Sequence, residues 1–354
     1  MTPGVAVAAT VGRMLMLTQQ DSALQQTLAQ RLAEVERRFA AELFSDLPSV
    51  NELTQHVERY RGKMLRPTLV IGAALAAYPE RAEDAAFQDQ VSTVATVVEM
   101  VHMATLVHDD ILDEAEMRRR GATINHLRGN EAAVMLGDYL ISHAYHLCST
   151  IPHTAASRTI AAATNVVCEG ELLQLHHRED WDLPERTYFE IVRRKTASLC
   201  GECCRMPSVL VTRRVAAAGD ERAQGLFAFG QKLGIAFQII DDVLDLRGDP
   251  EQVGKSLGRD LAKGKLTLPL IRHLDGLSPA RRQQLIQTLA QEDEAAAGRR
   301  LRQALAEGDG VDYAQGWARR LVDDAKAQAN QHLADSPWRQ LLLTMADAVI
   351  TRQF

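Results

Sequence analysis

Strand signals are almost absent from the 354 residues, which argues against a fold built on a sheet. Cysteine is scarce: Cys148, Cys168, Cys200, Cys203 and Cys204 are few, clustered and odd in number. That excludes a disulfide framework and leads us to expect a reducing, cytoplasmic setting. A basic excess is lacking as well. The formal net charge is −6, whereas phosphate backbones are bound by basic surfaces, so no nucleic-acid partner is expected. The N-terminus, MTPGVAVAATVGRMLMLTQQ, has a short apolar run but no basic n-region and no clear cleavage site, so it does not read as a signal peptide. The longest mostly apolar run, Val91 to Val107, carries Glu99 and His102 and sits near the lower limit of a bilayer span. A buried core helix is the better reading, with peripheral membrane contact left open.

What is present is helix-forming. Hydrophobic residues make up 46% and charged residues 24%, a globular balance, and Ala, Leu, Gln, Glu and Arg dominate most segments. Apolar residues recur at three and four, as in Leu24, Leu28, Leu32, Val35 and Phe39. Pro48, Pro79, Pro152, Pro184, Pro250 and Pro279 fall in short polar breaks, and Ser278-Pro279 and Asp182-x-Pro184 read as capped helix starts. The pattern predicts helices over 21–46, 63–78, 83–116, 131–149, 153–178, 185–213, 220–247, 265–274, 279–291, 309–332 and 335–350. Residues 1–20 read as a loose arm and 21–354 as a single all-α domain, with the long apolar helix at 83–116 at its centre.

Two acidic patches interrupt this pattern. LVHDDILDEAEMRR (Leu106 to Arg119) sets Asp109, Asp110 and Asp113 after an apolar run, followed by Arg118, Arg119 and Arg120. The acidic half returns as IIDDVLD, with Asp241, Asp242 and Asp245. On a helix, positions i and i+4 share a face, so Asp109 projects with Asp113 and Asp241 with Asp245, while Asp110 and Asp242 point about 100° away. Two solvated acidic helix ends would be the plain explanation of one such patch. A second copy behind an equally apolar run favours a hard cation held between carboxylates and substrate phosphates, for which Mg²⁺ is suited. The chain is expected to bring the two patches face to face. Cationic phosphate ligands are available in GKMLRP (Lys63, Arg66), Arg118 and Arg119, RRKTA (Lys195), GKSLGRD (Lys255) and GKLTLP (Lys265). Each alone would pass for surface charge, and the glycine spacing of a P-loop is missing.

GKMLRP, EMVHMATLVHDDILDEAEMRR, GNEAAVMLGDYL, EGELLQL, RRKTASL, GIAFQIIDDVLDLRGD and GKSLGRDLAKGKLTLPL follow in that order. As a set they resemble the trans-isoprenyl diphosphate synthases, and within these the long-chain octaprenyl and heptaprenyl type. The resemblance implies an antiparallel helix bundle around a deep central cavity, usually a homodimer, that joins an allylic diphosphate to isopentenyl diphosphate and releases diphosphate. It implies Asp109, Asp113 and Asp241 as Mg²⁺ ligands, about three ions per site with substrate bound, with Asp110, Asp242 and Asp245 in support. Lys63, Arg66, His102 and Arg119 are implied for isopentenyl diphosphate. Arg118, Lys195, Gln238, Lys255 and Lys265, with Thr196 beside them, are implied for the allylic diphosphate. Asp109, Asp110, Asp113, Arg118, Lys195, Asp241, Asp242 and Lys255 are the residues expected to serve the chemical step. Two departures stand out: Arg120 replaces the usual Gly after the paired arginines, and Pro207 falls within a helical segment that it should kink or end. Cys200, Cys203 and Cys204 read as helix-contact residues, since no second ligand pair accompanies the CxxC spacing.

In such enzymes bulky aromatics four and five residues before the first patch close the product tunnel. Here those positions are Thr105 and Ala104, with Val101 and Val98 further down, and no Phe, Trp or Tyr lies between Phe87 and Tyr139. The helix supplies no aromatic floor, which implies an all-trans product of roughly thirty to fifty carbons. Close helix packing is the competing reason for small residues there, and Tyr139, Met103 and Met135 are alternative floors. A short-chain (farnesyl or geranylgeranyl) diphosphate synthase is the nearest competing function. A terpene cyclase would not need GKMLRP or His102, and a non-catalytic subunit would not keep both patches.

Overall fold

The computed structural model describes residues 22–58, 64–118, 121–215, 220–247, 259–292 and 294–352. Lys63, Arg119, Arg120, Lys255 and the expected N-terminal arm lie outside them. The described chain is all-α, as expected. Its strands are a two-residue pair, β1 (Met117–Arg118) against antiparallel β2 (Gly121–Ala122), with Arg118 opposite Gly121. The helices are α1 (Ser22–Glu42), α2 (Pro48–Glu58), α3 (Leu65–Ala77), α4 (Ala85–Leu112), α5 (Ile124–Arg128), α6 (Asn130–Ser149), α7 (Thr154–His176) and α8 (Glu185–Val192). After a π-helical turn at Arg193–Ala197 come α9 (Ser198–Thr212), α10 (Glu221–Arg247), α11 (Arg259–Ala262) and α12 (Leu268–Asp275). The series ends with α13 (Pro279–Gln291), α14 (Glu294–Ala306), α15 (Gly310–His332) and α16 (Pro337–Ile350).

The residues form two compact units, each entered by the chain more than once. One is Met1–Thr164, Cys200–Gly230 and Gln328–Met345; the other is Asn165–Leu199, Gln231–Ala327 and Ala346–Phe354. In the first unit, the three-and-four stripe of α1 is buried as its periodicity requires, from Leu24 through Phe39 and on to Leu43. α3 is buried without a break from Pro67 to Ala77. Pro67 stands in its first turn, where no ladder hydrogen bond is lost. Asp84 caps α4 by accepting a hydrogen bond from the Phe87 amide at 3.1 Å. α4 is long and apolar enough to cross a bilayer, yet 78% of its most apolar stretch is buried inside the protein, so it is a core helix. Close crossings rely on glycine: a Cβ on Gly230 of α10 would lie 2.3 Å from the Cys200 carbonyl oxygen and 2.8 Å from the Cys204 sulfur. Cys200, Cys203 and Cys204 are thus helix-contact residues, all buried.

Several boundaries depart from expectation. α4 ends at Leu112 rather than 116, because Glu114 takes the left-handed conformation (φ 46°). The Ala115 amide then donates to the Asp110 carbonyl and the Glu114 amide to the Ile111 carbonyl, at 2.8 and 3.1 Å. This is a Schellman ending made without the glycine that usually announces it. Pro207 does not end its helix, which runs on to Thr212 with Ser208, Val209 and Leu210 buried and the Tyr78 hydroxyl donating to Ser208 Oγ at 2.9 Å. Ser278 is an N-cap but its side chain makes no capping bond, and Asp182 instead pairs with Arg282. Helices α2, α5, α11 and α14 were not expected.

Burial pushes the Cys148 thiol up to about 12 and also raises Cys200, Cys203 and Cys204, while Cys168 is exposed. Titration of the native protein with an aromatic disulfide at pH 8 is therefore expected to label Cys168 at most. The other four thiols should react only after unfolding in guanidinium.

Candidate active site

The first acidic patch closes α4 in the first unit. Asp109 and Asp113 share a face and are half-buried, and the Asp113 amide still donates to the Asp109 carbonyl at 2.8 Å. Asp110, one residue round the helix, is buried to 1% exposure. A carboxylate so placed must be paired, and Arg118 does this. Its Nε lies 2.9 and 3.0 Å from the two carboxylate oxygens and its Nη2 2.8 Å from one of them. Burial pushes the Asp110 carboxyl up, and the guanidinium opposes that rise. The β1–β2 pair holds Arg118 in place, and the turn below it is tied by side chains. Thr123 donates to the Ala115 carbonyl at 2.5 Å, and Asn125 Nδ2 donates to the carbonyls of Ala115 and Asp110 at 3.1 and 3.3 Å. Arg118 is therefore engaged with the patch itself, a role that its expected contact with diphosphate did not include.

His102 lies two turns back on α4, half-buried, and its carbonyl accepts the Thr105 hydroxyl at 2.8 Å. Arg66 stands in the first turn of α3. Its buried Nε has no hydrogen-bond partner among the described residues, and its charge opposes the burial-driven rise of Cys200 and Cys203. On the same α4, Val98, Val101 and Ala104 are fully buried and Thr105 is partly so. Of the alternative floors, Met103 is wholly buried, Met135 is 65% exposed, and the Tyr139 hydroxyl reaches the Leu43 carbonyl at 3.5 Å.

The second patch lies in the second unit and has the same inside-out arrangement. Asp242 is buried, Asp245 half-buried and Asp241 exposed. The Asp242 carboxylate accepts the Tyr188 hydroxyl at 2.6 Å and Gln238 Nε2 at 2.9 Å, and the Thr196 hydroxyl donates to Gln238 Oε1 at 3.1 Å. Burial first, and then the charge of nearby Asp260, push the Asp242 carboxyl well above the usual range; the two hydrogen bonds oppose them. Burial likewise raises the Tyr188 phenol. These groups line a cavity of about 90 Å³ together with Gln174, His177, Lys195, Asp260, Lys265 and an apolar wall that includes Leu183, Ile191 and Val192. Lys195 is ion-paired with Glu171 and donates to Gln174 Oε1 at 2.9 Å. Gly264 (φ 69°) turns the chain after α11 and delivers Lys265, whose amide donates to the Asp260 carbonyl at 2.8 Å. Asp241 accepts from Arg352 Nη1 at 3.1 Å, and that guanidinium lies 4.7 Å from the Phe237 ring centre.

Of the expected allylic-site residues, Lys195, Thr196, Gln238 and Lys265 thus meet at one cavity with Asp242. Sequence reasoning missed Tyr188, Asp260, Glu171, Gln174, Asn125 and Arg352. Gln174 and Glu171 had a signal, being three apart in EGELLQL; Tyr188 and Arg352 had none, since their partners are remote in sequence.

Residues 48–307 match the polyprenyl synthetase family. Octaprenyl diphosphate synthase of Escherichia coli is 34% identical over 92% of this chain and 96% of its own. Heptaprenyl diphosphate synthase component 2 of Geobacillus stearothermophilus is 32% identical over 84% and 88%. A crystal structure of polyprenyl synthase from Caulobacter crescentus, complexed with calcium and isoprenyl diphosphate, superposes with a TM-score of 0.82 at 29% identity, covering 98% of both chains.

Arg118→Ala should destabilise the protein by about 3 kcal/mol, the usual cost of stranding a buried charge. Adding Asp110→Asn should recover more than half of that loss in urea unfolding, because it removes the stranded charge.

Proposed function

The chain belongs to the polyprenyl synthetase family and is a prenyltransferase of isoprenoid biosynthesis, and from that premise we propose that it is a Mg²⁺-dependent, long-chain all-trans polyprenyl diphosphate synthase. It would condense an allylic diphosphate with isopentenyl diphosphate and release diphosphate. The observation that carries this reading is the convergence of Lys195, Thr196, Gln238 and Lys265 beside Asp242 at one cavity. Two lysines and two aspartates line that cavity, so a diphosphate bound there needs further positive charge. The donor sets fit Mg²⁺: Asp109 with Asp113, and Asp241 with Asp245, offer hard oxygens two at a time. Such an ion takes its remaining ligands from phosphate and water. When bound, it supplies positive charge to the departing diphosphate.

The protein's own groups do the rest. Lys195 and Lys265 hold the allylic diphosphate as point charges, and the Thr196 hydroxyl adds a donor. Arg66, whose buried Nε has no partner among the described residues, and His102 serve the isopentenyl diphosphate. The proton shed on coupling passes to the released diphosphate. The size of Ala104 and Thr105 supports a long product, and the octaprenyl relative agrees with it. Leu127, Val134 and Met135, exposed on and beside α6, support a homodimer; the component 2 relative keeps a heteromer as the second reading. Free thiols support a cytoplasmic location.

Incubation with Mg²⁺, isopentenyl diphosphate and each allylic primer, followed by chromatography of the dephosphorylated products, is expected to give long chains and none in the presence of EDTA. No elongation with any primer would refute the activity of the isolated chain. Ala104→Phe should shift the products to shorter lengths by placing a bulky ring five residues before the first patch. An unchanged distribution would show that the chain grows elsewhere.

A further inference from the structure

Between α8 and α9 the chain does not wind as a regular helix. Arg193–Ala197 forms a π-helical turn, although RRKTA contains neither Pro nor Gly to force it. A π turn is intrinsically poor and persists where surrounding contacts over-determine it. Glu190 binds both arginines of the turn, at 2.7 Å to Arg193 Nε and 2.5 Å to Arg194 Nε, which holds its own carboxyl down at about 2. The Ser198 hydroxyl takes up the Arg194 carbonyl at 2.5 Å. The backbone of the turn is pressed against α7 at Gly170, where a Cβ would stand 2.4 Å from the Lys195 amide nitrogen and 2.9 Å from its Cα. On the same helix, Glu171 pairs with the Lys195 ammonium and Gln174 accepts from it at 2.9 Å. The Lys195 side chain is only 20% exposed and Glu171 16%.

We infer that Gly170, Glu171 and Gln174 form a cradle that positions Lys195 for the allylic diphosphate. Gly170 sets the backbone height of the lysine, because nothing larger lets the turn approach α7 so closely. Glu171 and Gln174, three residues apart and so on one helix face, set the direction of its ammonium. A lysine side chain has four flexible bonds and loses rotamer freedom when it is fixed. The cradle bears that loss before the ligand arrives, so binding of the diphosphate does not. Glu171 and Gln174 act through Lys195 and are positioning residues. The inference rests on the assignment of Lys195 proposed above.

Steady-state kinetics of the full-length protein, with Mg²⁺, isopentenyl diphosphate and farnesyl diphosphate as primer, tests this. Lys195→Ala is the reference and should raise the primer KM. Glu171→Ala should raise the primer KM by about tenfold, the scale seen when a residue orienting a ligand-binding group is removed. The KM for isopentenyl diphosphate should stay unchanged. Glu171→Gln, which keeps an acceptor in place, should fall between Glu171→Ala and the parent. Gly170→Ala must move the turn by about 1 Å, a misplacement that costs on the order of a hundredfold in rate. Should that variant not fold, the Glu171 series decides alone. Calorimetric binding of a non-reactive allylic thiolodiphosphate should weaken in the same order. A normal primer KM for Glu171→Ala beside a raised one for Lys195→Ala would overturn the cradle and leave the site assignment standing. Equal rises in both KM values would also overturn it, marking Glu171 as part of the general packing. A normal primer KM for Lys195→Ala would remove the assignment of Lys195 and the cradle with it.

Discussion

A carboxylate withdrawn from water must be met by donors or give up its charge, and that constraint shapes both acidic patches. Successive residues on a helix point about 100° apart, so adjacent aspartates meet different surroundings on a helix whose other side is core. Asp110 and Asp242 are the ones turned inward. Each then demands a partner, and each has one of a different kind. Arg118 meets Asp110 as a forked cation carried on a two-residue strand. Tyr188 and Gln238 meet Asp242 with neutral donors, and the Asp242 carboxyl rises well above its ordinary range. The aspartates at positions one and five of each patch are the ones left partly or fully exposed.

The backbone departs from regular geometry at both patches. α4 stops in a Schellman ending at Glu114, directly after Asp113, so the patch sits on the final turn rather than inside the helix. Lys195 and Thr196, which join the second patch at its cavity, occupy a π turn. In both places a residue that would normally continue an α-helix is held out of it by neighbouring contacts. Local strain of this kind persists where packing sets a side chain in one direction.

Much of this was legible. The all-α class, the buried stripe of α1, the central burial of α4 and the split between outward and inward aspartates follow from periodicity alone. The motif order pointed to the family that the similarity of relatives then established. Other features were not legible, for identifiable reasons. Pro207 stays within α9 because burial of the following turn outweighs one lost hydrogen bond. The end of α4 was placed late because a non-glycine residue takes the left-handed position. The bond of Arg118 to Asp110 was not legible, because the burial of that carboxylate cannot be seen in a charge pattern.

What the sequence determined by itself is whatever repeats along one helix: which faces are apolar, which aspartates share a face, and that Glu171 and Gln174 stand together. Those relations need only the helical period. What tertiary structure alone decided is which partner meets each of these groups. Tyr188 reaches Asp242 across 54 residues, and Gly170 makes room for the backbone of Lys195. Such pairings depend on how close two helices come, which packing sets and no spacing along the chain encodes.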